Sequence, residues 1–431
     1  MRVFFLFVSI SLLCAIAFSD HNEKHNGNED KEHGGHKKVH HHSDEKHDHR
    51  DHHHSNESMP CLKIAPYNAH FSFSLYRKIA ADNPTENIFL SPVSISTAFA
   101  MLSLGARGQT LKQITEGLSF NTTEISEEEI HKGFQHLLHM LNDPNSEMQL
   151  NSGNALFIDK DFQIIQKFVE DAKQFYEAEP VSTDFHNTEE ATKQINSYAE
   201  KKTNGKITEL LSTVDEKTLL VLINYIYFRG QWEKPFEKEN TVDGEFHVDK
   251  DTVVTVPMMH KNGMYNVAYD DQLGCTVVLM PYKGNATALF ILPDEGKLRQ
   301  VEEALETPVV KSWRKIFRRR SVNLTLPKFS ISATLDLVKE LTKLGVTDVF
   351  SDGSNLSGIT EAPPLRVSKA VHKALLSIDE TGTEAAGVTG MELMPMMVPS
   401  RIEFNKPFLI IIYGQETRSN YFMGRIMNPK K

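Results

Sequence analysis

Three stretches of this 431-residue chain carry side chains whose types and spacing could do chemistry. The first, between residues 20 and 60, holds His21, His25, His33, His36, His40, His41, His42, His47, His49, His52, His53 and His54. Neutral imidazoles ligate Zn²⁺, Cu²⁺ and Ni²⁺, so this density predicts a chelating segment, multi-site and unselective because nothing fixes its geometry. Its affinity is expected to drop as pH falls through about 6.5, where imidazole protonates. The second stretch, KSWRKIFRRRS, spaces Lys311, Arg314, Lys315 and Arg318 along one face of a helix, with Trp313, Ile316 and Phe317 opposite. Arg319 and Arg320 extend the charge. Such a stripe is either a solvated face or a surface for a sulfated polysaccharide. The third, GTEAAGVTGMELMPMMVPS from Gly382 to Ser400, is long, apolar and rich in methionines whose thioethers oxidise to polar sulfoxides.

None of these builds a catalytic centre. The chain has no G-x-S-x-G, no H-E-x-x-H and no phosphate-binding Walker loop, and nothing pairs its serines with its histidines. The reading is therefore not an enzyme, with no required cofactor and divalent metal only on the histidine-rich segment. A formal charge of −10 argues against a general nucleic-acid binder.

The elements that must position these residues begin after two leading segments. Arg2 followed by the apolar run Val3 to Ala17 reads as a secretory signal peptide, residues 1–19, cleaved after Ala17 or Ser19 and too short to span a bilayer. No second apolar run approaches membrane length, so a secreted, extracellular, monomeric product with no membrane partner is expected. Neither cleavage point puts histidine third, so no amino-terminal copper/nickel motif forms. Residues 20–62 hold almost no aliphatic or aromatic side chain, cannot offset ordering entropy by burial, and are expected to be disordered. Secretion gives meaning to the sequons at Asn56, Asn121, Asn285 and Asn355, and to a weaker one at Asn323 in an apparent strand. Once Cys14 leaves with the signal, Cys61, in a flexible lead-in, and Cys275, opening a strand, are either free thiols or one disulfide.

Beyond about Ala65 the pattern is globular. NAHFSFSLYRKIAA has helical spacing at Phe71, Leu75 and Ile79, with Asn68 as a cap. SPVSISTAFAMLSLGA enters at Ser-Pro and is apolar nearly all round, a buried helix. TEEATKQINSYAEKKTNGK runs from a threonine cap to Asn204-Gly205. TLLVLINYIYF and KPFLIIIYG are strands buried on both faces, and CTVVLMPYKGNATALFILP is a hairpin about Lys283-Gly284-Asn285. Helices lead and strands follow, which makes one α+β domain.

Four phrases in this order, NIFLSPVSISTAFAMLSLGARGQT, LINYIYFRGQWEKPF, SKAVHKALLSIDETGTEAAG and FNKPFLIIIYGQETRSNYFMGRIMNP, resemble the serpins, and among them the alpha-1-antitrypsin-like plasma clade. The resemblance spans about residues 66–428. It implies three β-sheets surrounded by about nine helices, with an exposed reactive-centre loop at about 380–401. The histidine-rich extension lies outside it and is similar in composition to that of a nickel-binding liver serpin of amphibians.

The resemblance also implies a function: a loop offered as bait to a serine protease, which enters the main sheet as a new strand once cut. The residues agree. A strand alternates faces with period two. One face is Thr383, Ala385, Gly387, Thr389, Met391 and Leu393, uncharged and small at first; the other, with Glu384, Ala386, Val388, Gly390 and Glu392, carries both charges. Burial of one face thus leaves no unpaired glutamate inside. The hinge is Glu380, Gly382, Thr383, Glu384, Ala385, Ala386 and Gly387. Family register puts the cleaved bond at Met396-Met397, with Met394 and Met397 as neighbouring alternatives, and an unbranched methionine suits an elastase- or chymotrypsin-like pocket. Members usually carry serine where this chain has Met397. Ser94, Asn224 and His372 match a polar cluster beneath the sheet's opening, and Trp232, Glu380 and Lys328 its upper end. The basic helix resembles one that binds heparin in protein C inhibitor. Plasma relatives of the same fold carry hormones, so a hormone or metal carrier is the rival reading.

Overall fold

Pro60 occupies the first position of helix α1 (Pro60–Asp82), where a missing N–H leaves no hydrogen bond unmade. The computed structural model describes residues 59–143, 146–362, 365–382 and 399–431, and Asn56–Lys431 is one compact unit. Residues 60–62, expected to be disordered, are helical, and Cys61 is not in a flexible lead-in: it is wholly buried, with its sulfur 4.0 Å from that of Met140. The apolar residues Cys61, Ile64 and Ala65, buried directly after the polar run, anchor the helix earlier than that run suggests. Asn68 is correspondingly no cap but a buried mid-helix residue. Cys61 and Cys275 are both free thiols, and burial pushes them up to about 11 and about 12 respectively.

The remaining helices among the described residues are α2 (Pro92–Ser103), α3 (Gly108–Gly117), α4 (Glu127–Leu141), α5 (Gln166–Tyr176), α6 (Thr188–Lys202), α7 (Leu298–Ala304), α8 (Thr307–Ile316) and α9 (Leu337–Thr342). The strands are β1 (Ile88–Leu90), β2 (Gln149–Asp159), β3 (Pro180–Thr183), β4 (Leu220–Arg229), β5 (Thr241–His247), β6 (Val253–Asp270) and β7 (Cys275–Pro281). They continue with β8 (Ala286–Pro293), β9 (Arg318–Pro327), β10 (Phe329–Asp336), β11 (Lys369–Ile378), β12 (Ser400–Glu403), β13 (Phe408–Gly414) and β14 (Asn420–Ile426). Every residue of α2 is buried, as its all-round apolarity predicts, and the Ser91 hydroxyl caps it by accepting from the Ser94 N–H. The cap of α6 is Asn187, one residue before the expected threonine: its side-chain oxygen accepts from the Glu190 N–H.

A five-stranded sheet runs in the order β10-β11-β4-β2-β3, with the apolar run β4 at its centre. The other strands form a nine-stranded ladder. It divides into two sheets, β1-β14-β13-β8-β7 and β12-β9-β6-β5, joined where the last residues of the 18-residue β6 pair with β7. Among the described residues, three sheets and nine α-helices match the expected architecture. Asn204 and Gly205, both at positive φ, end α6, and β7 and β8 flank the Lys283–Asn285 turn as a hairpin.

The basic helix is shorter than its spacing implied. α8 stops at Ile316, and Phe317, at ψ 134°, turns the chain into β9. Arg318, Arg319 and Arg320 therefore lie on a strand, paired with Val267, Asn266 and Tyr265, and do not continue the face of Lys311, Arg314 and Lys315. Pairing along β6 outweighs helical spacing at this point. Trp313 is fully buried beneath the helix, with its indole N–H donated to Asp270 at 2.8 Å.

Candidate functional site

β4 and β11 are adjacent and parallel, in register from Val221 opposite Lys369 to Tyr227 opposite Leu375. The other neighbours of this pair, β2 beside β4 and β10 beside β11, are antiparallel to it. The chain leaves β11 at Ile378 and turns at Asp379–Gly382. A segment returning from that turn between β4 and β11 would run antiparallel to both, which is the pairing with perpendicular, closely matched hydrogen bonds. The β4–β11 joint is thus a place where the sheet can accept one more strand.

Beneath the joint the sequence-selected residues meet. β4 and β11 place Asn224 directly opposite His372, and α2 brings Ser94 against them. The Asn224 amide nitrogen donates to the Ser94 hydroxyl at 2.6 Å and carbonyl at 3.1 Å, and to the Asn154 side-chain oxygen at 2.6 Å. The Ser91 N–H lies 3.0 Å from His372 Nε2, which must therefore accept. That fixes the proton on Nδ1, which donates to the Asn224 oxygen. The imidazole is neutral, and complete burial pushes it down to about 3. Ser91 and Asn154 were missed from sequence. Asn154 had a signal: it is a polar residue in β2 whose antiparallel register puts it opposite Asn224.

At the upper end, Glu380 is 5% exposed and forms an ion pair with Lys328 Nζ at 2.9 Å. The Thr241 hydroxyl donates to its other oxygen at 2.8 Å. Burial works against the carboxylate, but the Lys328 ammonium, a backbone N–H and Thr241 outweigh it and hold the group below its usual range. Trp232 closes this end. Its N–H donates to the Thr381 carbonyl at 2.8 Å and its indole to that of Asp379 at 3.1 Å, while its ring stacks on Tyr282 at 4.1 Å. Gly382, at φ +134°, pairs with Gln231, and a Cβ there would come within 2.2 Å of the Gly230 carbonyl oxygen. Only glycine lets the hinge lie so close to β4.

The other hinge residues (Thr383, Glu384, Ala385, Ala386, Gly387), Met396 and Met397, the signal segment, Asn56 and all the amino-terminal histidines lie outside the described residues. The described loop resumes before β12, parallel to β9. Asn121, Asn285 and Asn355 are exposed, as glycosylation requires. Lys311, Arg314 and Lys315 are all exposed on α8, with the Arg314 guanidinium 5.0 Å from the Tyr413 ring. Among the described residues no group of three or more His, Cys, Asp or Glu could hold a metal ion, and no helix is long and apolar enough to cross a membrane.

Comparison with known proteins gives a consistent picture. A family model described as Serpin (serine protease inhibitor) matches residues 66–429. The chain is 52% identical to alpha-1-antiproteinase of Callosciurus caniceps over 374 residues, covering 87% of this chain and 91% of that one. It is equally 52% identical to the Bos taurus protein over 375 residues, covering 87% and 90%. Among solved structures, human thyroxine-binding globulin complexed with thyroxine superposes with a TM-score of 0.82 at 44% identity, covering 86% of this chain and 99% of that one. Human glycosylated kallistatin gives 0.81 at 44%, again over 86% and 99%.

Proposed function

Since the chain belongs to the serpin family, we propose that it is a secreted suicide-substrate inhibitor of serine proteases of elastase or chymotrypsin type, cut at Met396-Met397. The observation that carries this reading is the parallel β4–β11 joint, latched by the neutral cluster of Ser94, Asn224 and His372, directly below a hinge whose loop is patterned to become a strand. The protease serine attacks the Met396 carbonyl carbon and expels the Met397 amine, leaving an acyl-enzyme. The freed segment from Glu380 onward then enters between β4 and β11, and the tethered protease is carried with it and distorted before water can deacylate it. The driving force is a native state held kinetically short of its most stable pairing. The inhibitor itself catalyses nothing.

Human thyroxine-binding globulin, complexed with thyroxine, favours a second reading as a hormone carrier. One experiment separates the two: incubation with elastase, chymotrypsin and trypsin, a denaturing gel, and sequencing of the released carboxy-terminal peptide. An inhibitor gives an adduct stable to denaturant with elastase or chymotrypsin and a peptide beginning at Met397. Loop cleavage without any adduct favours the carrier.

Two accessory surfaces belong to the same proposal. The histidines from His33 to His54 chelate Ni²⁺, Zn²⁺ or Cu²⁺, and the α8 cations Lys311, Arg314 and Lys315 bind heparin-like polysaccharide, without the strand residues Arg318 and Arg319 that helical spacing had joined to them. Equal Ni²⁺ uptake by the full chain and one lacking residues 20–54, or flow-through from heparin at physiological salt, removes the respective surface.

A further inference from the structure

The segment that follows β4, Gln231 to Phe236, is held from two sides. On one side lies the hinge: Gln231 pairs with Gly382, the Trp232 N–H donates to the Thr381 carbonyl at 2.8 Å, and the Phe236 N–H donates to that of Glu380 at 2.7 Å. On the other lies the turn of the β7–β8 hairpin. The Lys283 N–H donates to the Gln231 carbonyl at 2.7 Å, the Glu233 N–H donates to that of Pro281 at 3.0 Å, and Trp232 pairs with Tyr282. A strand entering the β4–β11 joint must part the first side but not the second, because β8 stays paired along its other edge with β13. One side chain reaches from the part that stays to the residue that meets the hinge: Lys283 Nζ donates to the Gln231 side-chain oxygen at 3.1 Å, and both residues are half-buried. The turn that carries Lys283 is itself fixed, closed by the Tyr282 N–H on the Ala286 carbonyl at 3.0 Å with Gly284 at φ +84°.

We infer that Lys283 is a positioning residue for hinge release: its ammonium fixes Gln231, and Gln231 fixes the backbone edge on which Gly382 lies. This rests on the reading of the β4–β11 joint as the place where a strand enters. A hydrogen bond from a charged donor is roughly twice as strong as a neutral one, and half-burial spares it much of the screening by salt. Without the ammonium, Gln231 keeps one backbone bond to the hairpin and its side chain is free to turn, so the pairing with Gly382 is lost more readily and a strand enters faster. The Lys328–Glu380 ion pair grips the hinge itself, whereas Lys283 acts on it only through Gln231.

The test uses a free strand in place of the loop and needs no protease. The full chain is incubated with an acetylated synthetic peptide of residues 383–394, and uptake is followed over time by native electrophoresis. It is run beside Lys283→Met, Gln231→Ala, the double variant, Lys283→Arg and a control, Lys297→Met, whose ammonium also holds a glutamine, Gln300, at 2.9 Å. Denaturant unfolding without peptide establishes that each variant is folded. Uptake at least fivefold faster than in the parent is expected in each of Lys283→Met and Gln231→Ala, with no further gain in the double variant, since both remove one interaction. Lys283→Arg, which keeps the charged donor, and Lys297→Met are expected to keep the parental rate. Parental rates in both single variants, accelerations that multiply in the double variant, or Lys283→Arg as fast as Lys283→Met overturn the inference and leave the reading of the joint standing. A parent that takes up no peptide overturns that reading and the inference with it.

Discussion

Two buried polar constellations hold this fold together, and they are built from opposite materials. One is charged. Arg425 of β14 is 1% exposed and spends every N–H: two on the Glu302 carboxylate at 3.0 Å each, the others on the carbonyls of Asn83 and Glu86. The Tyr76 hydroxyl donates to the same carboxylate at 2.7 Å, which ties α1, α7 and β14 into one block. The other, at Ser94, Asn224, Asn154 and His372, contains no charge at all. The difference follows from what each must do. Breaking a buried ion pair costs about 3–5 kcal/mol because an uncompensated charge stays inside, whereas a neutral hydrogen bond is worth about 1 kcal/mol net. Charge is placed where strands never part, and neutral exchangeable bonds where a strand is to enter.

The sharpest way to break this comparison is Arg425→Met. It leaves the buried Glu302 carboxylate without a countercharge, with only the Tyr76 hydroxyl of the block still donating to it, and a loss of about 4 kcal/mol is expected from the shift in denaturant midpoint. Pairing it with Glu302→Leu should recover much of that loss, since two apolar groups leave no charge unpaired. A single variant as stable as the parent would mean that the block is not held by the pair.

Glu380→Lys strikes the intermediate case, a charged clasp at the edge of the neutral joint. It removes the bonds to Lys328 and Thr241 and sets two ammonium groups together. About 3 kcal/mol is lost, and the joint is expected to open to the loop of a second copy, giving polymers on mild heating. Unchanged monomer yield and heat behaviour would show that the clasp does not guard the opening.

What could be read from the residues alone divides along the same line. Central strands such as β4 and β13 announce themselves by apolar runs, and the β7–β8 hairpin by Lys283-Gly284-Asn285, because these signals are local. The latch was legible only through the motifs that carry the family resemblance, and the charged block was not legible at all. Glu302 and Arg425 are 123 residues apart and neither sits in a distinctive setting. Spacing alone misplaces the end of α8 for a related reason: the spacing of Arg318 is helical, but its strand partner Val267 is distant in sequence. Cys61 reads as part of a flexible lead-in because it directly follows the polar run of residues 20–58, and the helix α4 that covers it lies far along the chain.

The mildest probe is pH, which reaches the latch without altering its shape. His372 titrates at about 3 in the fold because burial disfavours its cation, against about 6.5 in an unfolded chain. Between those values the unfolded state binds a proton that the folded state refuses. Stability is therefore intact above about 6.5, falls as pH drops below it, and stops falling near 3. The slope is about 1.4 kcal/mol per pH unit, hence about 2 kcal/mol at pH 5 from this one group. His131, pushed down by burial to about 4, contributes in the same direction and must be held constant. His372→Gln does so: its amide can donate to Asn224 and accept from Ser91, but it cannot titrate. Between pH 7 and pH 5 the parent is expected to lose about 2 kcal/mol more than this variant. If the two lose stability in parallel, the imidazole is not the acid-sensitive part of the latch, and the neutrality of the joint would have to be sought in Asn224 and Ser94 alone.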